Sequence, residues 1–108
     1  MIGRTHRRYA LHLPVELRSE TASKAKGLLI EISQECARIS QLERDTYQPG
    51  DTVIVRSPCG MKREGRIRWT RATNAGVRFA DPLRLHELSD WLSTRHENHA
   101  AADLQYAS

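Results

Sequence analysis

Arg4-Thr-His-Arg7-Arg8 runs without a break into Tyr9-Ala-Leu-His-Leu-Pro-Val-Glu-Leu17. In the second part the odd positions are Tyr9, Leu11, Leu13, Val15 and Leu17, and the even ones are Ala10, His12, Pro14 and Glu16. That sustained period of two marks a strand with one buried face. Pro14 has no N–H to give to a ladder, so the strand should lie at an edge or a bulge at that point. A chain that enters its first strand from a cationic arm is the frame into which the rest must fit.

Working outward, Ser19 to Lys26 is polar, and Leu28 to Ile32 is a compact apolar run whose length suits a second strand. Ala37, Ile39 and Gln41 alternate with Arg38 and Ser40 in a third, which makes Ser33 to Cys36 a tight connection. Pro49-Gly50-Asp51 is a turn, Pro fixing one dihedral and Gly permitting the next, before Val53 and Val55 in a fourth strand. Ser57-Pro-Cys-Gly60 turns the chain into a long fifth strand, with Ile67 and Trp69 expected on one face and Lys62, Glu64, Arg66 and Arg68 on the other. Asn74 to Gly76 is read as the next turn, with Val77 and Phe79 in a sixth strand. Short strands at regular spacing favour a closed or nearly closed barrel, because closure removes exposed edges.

Asp81-Pro82 then reads as an N-cap followed by the first helical residue, and Leu85, Leu88, Trp91 and Leu92 recur at helical spacing to about Arg95. This amphipathic helix is expected to pack on the barrel. The organisation expected is a flexible basic arm over 1–8, a barrel with its helix over 9–95, and a disordered tail over 96–108.

With 108 residues the chain suffices for one small domain. The net charge of +4 is concentrated near the N-terminus in Arg4, Arg7 and Arg8, which suits either a phosphate ligand or a merely solvated arm. The sequence offers no apolar run of about 18 residues that would span a bilayer and no apolar stretch of a signal peptide. The expected location is therefore the cytoplasm, without membrane insertion. Cys36 and Cys59 lack metal-ligand or disulfide-framework spacing, and His96 and His99 have no accompanying ligand cluster, so no metal site is expected. There is no G-x-S-x-G, H-E-x-x-H or P-loop, so the chain is not expected to be an enzyme and no catalytic residue is assigned. Lys62, Arg66, Arg68 and Arg78 offer a positive face to nucleic acid, but Glu64 interrupts it and no stacking aromatics stand beside it, so that partner is disfavoured.

The arm Arg4 to Arg8, read as R-x-x-x-R, and the segment Glu31-Ile-Ser33-Gln-Glu-Cys36 together resemble the signature of the PilZ family, an R-x-x-x-R arm followed by [D/N]-x-S-x-x-G. The Pro-Gly-Asp turn, the Gly65 to Trp69 and Gly76 to Phe79 strands and the terminal helix extend the resemblance over roughly residues 4 to 92. It implies an all-β fold with a terminal helix, namely a six-stranded antiparallel PilZ-type β-barrel with a C-terminal α-helix. It also implies a ligand, cyclic di-GMP, and no cofactor. By that resemblance the ligand-binding residues are Arg4, Arg7, Arg8, Glu31, Ser33 and Cys36. Arginine suits the ligand, since its planar fork reads guanine O6 and N7 or clamps a phosphate.

Two positions depart from the pattern. Glu31 replaces Asp or Asn, retaining a carboxylate for the guanine N1 and N2 donors on a longer stem. Cys36 replaces Gly; if φ were positive there, a side chain would cost roughly 1–2 kcal/mol. Glu35 adds negative charge near the expected phosphates. Two functions follow from the resemblance. In the first, a cyclic di-GMP receptor and adaptor orders its arginine arm on binding and signals through an unidentified protein partner. In the alternative, a degenerate PilZ domain binds no nucleotide and works as a protein–protein adaptor in motility or pilus machinery.

Overall fold

The computed structural model describes residues 7–19, 24–43 and 47–93. Arg4, Arg95, His96, His99 and the rest of the tail lie outside the described residues. Strands β1 (Tyr9–Ser19), β2 (Lys24–Ile32), β3 (Cys36–Ser40), β4 (Thr52–Arg56), β5 (Lys62–Arg71) and β6 (Asn74–Phe79) pair antiparallel. They close a barrel in the order β1-β2-β3-β6-β5-β4, and a C-terminal helix, α1, occupies residues 85–93.

The period of two does what it predicts along β1: Leu11, Leu13, Val15 and Leu17 are buried, while His12, Pro14 and Arg18 face outward. Pro14 sits just beyond a register shift between Ala10 and Leu13, and β4 pairs with β1 only over Glu16–Ser19, so the missing N–H breaks no β1–β4 bond. Leu29, Ile39, Val53, Val55, Ile67 and Val77 complete the interior from the other strands. Leu83, Leu88 and Trp91 belong to the same core cluster, so the helix and its lead-in pack against it. Each such side chain contributes about 1.5–3 kcal/mol by leaving water.

Three local expectations are corrected. The β5–β6 turn is not Asn74 to Gly76: the chain reverses at residues 72–73, Ala72 takes a φ of 53°, and Asn74 already pairs with Arg71. Asn and Gly are strong turn residues, but here the ladder claims them. The helix does not begin at Pro82, because the main chain of Leu83 is already bonded elsewhere. Its N–H donates to the Gln34 carbonyl at 2.7 Å and its carbonyl accepts from Gln34 Nε2 at 2.8 Å. The helix starts one residue after Arg84, whose N–H donates to Glu87 Oε1 at 2.8 Å in one half of a capping box. Leu85 is consequently 71% exposed and not part of the buried stripe, its place being taken by Leu83. The third correction, at Trp69, creates the site.

Candidate ligand-binding site

On β5 the register shifts between Ile67, which pairs with Val77, and Trp69, which pairs with Gly76. The extra residue breaks the alternation. Ile67 points inward at 2% exposure, whereas Arg68 and Trp69 both lie on the outside, Trp69 at 40%. The expectation that Ile67 and Trp69 share a face fails for this reason. A second shift, between Leu29 and Glu31 on β2, likewise takes Glu31 out of the core alternation and sets it opposite Arg38 of β3.

Between these bulges lies a cavity of about 440 Å³ in the barrel wall, lined by Arg8, Glu31, Ser33, Glu35, Cys36, Arg38, Arg68, Trp69 and Gly76 among others. Of the residues expected to bind ligand, Arg8, Glu31, Ser33 and Cys36 are therefore brought together. Arg7 is exposed and outside the cavity lining, and Arg4 lies outside the described residues.

Trp69 forms the floor. Its indole lies so close over Gly76 that a Cβ there would stand 2.5 Å from Cε2 and 2.9 Å from Cδ1. Only glycine allows that approach. The Arg38 guanidinium stands 5.7 Å from the ring centroid, within cation–π range. Arg38, Gly76 and Trp69 thus form a row across β3, β6 and β5 by direct register.

The turn at Ser33–Cys36 forms one wall, and Ser33 builds it. Ser33 N–H donates to the Cys36 carbonyl at 2.8 Å, and Ser33 Oγ accepts from Cys36 N–H at 3.1 Å and Glu35 N–H at 3.3 Å. The hydroxyl is engaged in shaping the turn. Cys36 carries no positive φ, since among the described non-glycine residues only Gln41 and Ala72 do, so its side chain causes no backbone strain. It opens β3 and pairs with Arg78. The same turn is anchored on its far side: Phe79 N–H donates to the Glu35 carbonyl at 2.8 Å, and Gln34 holds Leu83 through the two bonds already given.

Sequence reasoning missed Arg38, Arg68 and Trp69. The available signal was Gly76, a small residue in a strand, which marks a close approach as readily as a turn. The cavity thus offers three guanidinium groups, an exposed indole and two carboxylates, a set that can stack a flat ring, accept from its N–H edge and bind anionic oxygens.

A PilZ domain model matches residues 3–93. The chain belongs to the PilZ domain family. PilZ domains are binding and adaptor modules, and this one has the barrel and terminal helix of that fold. No curated protein matches the chain. Among solved structures it is similar to Bacillus subtilis inhibitor of motility, MotI/DgrA, with a TM-score of 0.58 and 14% identity. The likeness covers 91% of this chain and 53% of that one, so this PilZ domain spans about half the length of that protein, and at this identity the likeness concerns the fold alone. Among the described residues no helix is long and apolar enough to cross a membrane.

Proposed function

We propose that this PilZ domain is a cyclic di-GMP receptor that works as an adaptor toward a protein partner. The observation that carries the reading is the convergence of Arg8, Glu31, Arg38, Arg68 and Trp69 on one cavity. Its 440 Å³ falls within the usual size range of ligand pockets, roughly 300–1,000 Å³. A guanine stacks on the exposed Trp69 indole, Glu31 accepts from its N1 and N2 donors, and the arginines take O6, N7 and the phosphates. Arg4 and Arg7 close over the ligand from the arm, and part of the binding energy goes into ordering it. Ser33 acts by holding the turn, and Cys36 by lining the wall. The signal leaves through Gln34, because a shift of the Ser33–Cys36 turn pulls on Leu83 and so on the start of α1.

The test is calorimetric titration with cyclic di-GMP of the wild-type protein and of Arg8→Ala and Trp69→Ala. Micromolar or tighter binding that each substitution weakens at least about fivefold is expected, as one stacked base is worth about 1–3 kcal/mol. Absence of heat at high ligand concentration refutes the receptor reading. It would leave the nucleotide-independent adaptor, which the engaged Ser33 hydroxyl and the Glu35 carboxylate beside the cavity favour.

A further inference from the structure

Next to the cavity, on the same outer wall, Arg66 of β5 and Arg78 of β6 stand directly opposite each other in register. Both are exposed, and among the described residues neither has a carboxylate within ion-pair distance. Directly opposed like charges on adjacent strands repel and destabilise a sheet. Two further like-charged pairs face each other: Arg56 and Lys62, relieved because Arg56 also faces Glu16 on β1, and Arg18 and Lys24, which lie on β1 and β2 away from the exposed indole. Arg66 has no such carboxylate opposite it, its other cross-strand neighbour being Thr52, and Glu64, two residues along β5 on the same face, forms no ion pair with it.

The two arginines are flanked by apolar side chains that remain in water. One row toward the cavity lies Trp69, and one row the other way lies Ile54 of β4, 38% exposed, opposite Glu64. Unpaired guanidinium groups between an exposed indole and an exposed isoleucine have the composition of a protein interface, where arginine and aromatic residues are enriched. The exposed Ile54 favours a peptide over a polyphosphate backbone, because only the peptide brings aliphatic side chains to cover it.

We propose that the outer face of β4, β5 and β6 around Arg66 and Arg78 is a docking surface for an acidic segment of a partner protein that carries apolar residues among its carboxylates. The repulsion stored in the free domain is relieved when two carboxylates of the partner settle on the arginine pair. This gives a chemistry to the partner of the adaptor proposed above, and it is tested without nucleotide so that either reading can fail alone.

The probe is a short fluorescein-labelled peptide of Glu-Glu-Leu repeats, followed by fluorescence anisotropy at low salt. Arg66→Glu and Arg78→Glu are each expected to weaken binding about tenfold or more, while thermal unfolding of Arg66→Glu occurs at or above the wild-type midpoint because an attractive pair replaces a repulsive one. Lys24→Glu, the same charge change in the like-charged Arg18–Lys24 pair and three strands round the barrel from β5, is expected to alter binding by less than about threefold, as exposed charges outside the docked face contribute little. Equal losses at all three positions would reduce the effect to net charge and overturn the proposal, as would absence of binding to the wild-type protein. Tighter binding of an oligothymidylate of equal charge, with the same dependence on Arg66 and Arg78, would make the face a nucleic-acid surface and overturn it too.

Discussion

Gly76→Ala isolates the feature on which the site depends. The added Cβ would lie 2.5 Å from Trp69 Cε2 and 2.9 Å from Cδ1, where ordinary contact begins at 3.4 Å, so the indole must rise by roughly 1 Å or swing outward. The strand itself cannot yield easily, because Gly76 is paired on one side with Arg38 and on the other with Trp69 in a closed barrel. The exposed ring yields. Overpacking costs about 1–3 kcal/mol, and replacing a strand glycine by alanine returns about 0.5–1 kcal/mol. A net loss of up to about 2.5 kcal/mol should appear in urea unfolding. The larger effect falls on the ligand: forfeiting a stacking platform worth about 1–3 kcal/mol corresponds to roughly 5- to 150-fold in affinity. Calorimetry with cyclic di-GMP on Gly76→Ala, Trp69→Ala and the double variant measures this as a cycle. The glycine substitution should lose its effect on affinity once the indole is gone. Wild-type affinity in Gly76→Ala, or an equal further loss in the Trp69→Ala background, would refute the argument that Gly76 acts through Trp69.

Arg63 ties β5 to the helix entrance, donating to the carbonyls of Asp81 and Pro82 at 3.0 Å each and to Glu87 Oε2 at 3.0 Å; Arg63→Ala should lower stability by about 1–2 kcal/mol through the lost carbonyl bonds, read by thermal unfolding. The Arg84 N–H bond, with the Arg63 charge, holds the Glu87 carboxyl below its usual 4.5, so its contribution is complete above that pH and is lost as pH falls through the lower folded value; Glu87→Gln should remove that part of the acid sensitivity. Cys36→Gly should reduce stability by about 0.5–1 kcal/mol, since φ at 36 offers no strain to relieve, and a gain in stability would contradict this. Cyclic di-GMP and the acidic peptide should antagonise each other: two phosphate charges about 10 Å, or two strand spacings, from two carboxylates repel them enough for about sevenfold weaker binding at 10 mM salt and about twofold at 0.15 M. Salt-independent competition would point instead to direct overlap on Trp69.

The architecture was legible because alternation and turn chemistry agree over most of the chain. The buried row Leu11, Leu13, Val15 and Leu17 and the Gly50 turn, with its φ of 97° and its Asp51 N–H bonded to the Gln48 carbonyl, follow from local residues alone. The helix start was not legible, because Asp81-Pro82 is a good local signal overruled by a long-range bond between Leu83 and Gln34. The site was half legible. Arg8, Glu31, Ser33 and Cys36 came from the motif, whereas Arg38, Arg68 and Trp69 depend on register, which no single stretch encodes. The trade of a turn at Asn74 to Gly76 for a glycine seat beneath Trp69 belongs to the same blindness: one residue type answers to two structural demands, and only the partner strand decides between them.

The places where alternation fails are also the places where the barrel can hold a ligand. On a closed barrel with strict period two, outward side chains stand on a convex wall and diverge, so they cannot enclose anything. Concavity requires two successive residues of one strand to leave the core side together, which is what a bulge supplies. Ile30 and Glu31 follow buried Leu29 in this way, and Arg68 and Trp69 follow buried Ile67. The third shift, between Ala10 and Leu13, lies where β1 pairs with the Glu31 end of β2 and where Arg8 enters the barrel. The β2 and β5 irregularities thus flank one cavity, and each forfeits regular ladder pairing that most of the barrel keeps. A barrel selected only to persist would gain by removing them. Their convergence on Glu31, Arg68 and Trp69 is the physical reason to read this wall as a binding site, and it stands on the register of the strands, independent of the arginine and serine motif.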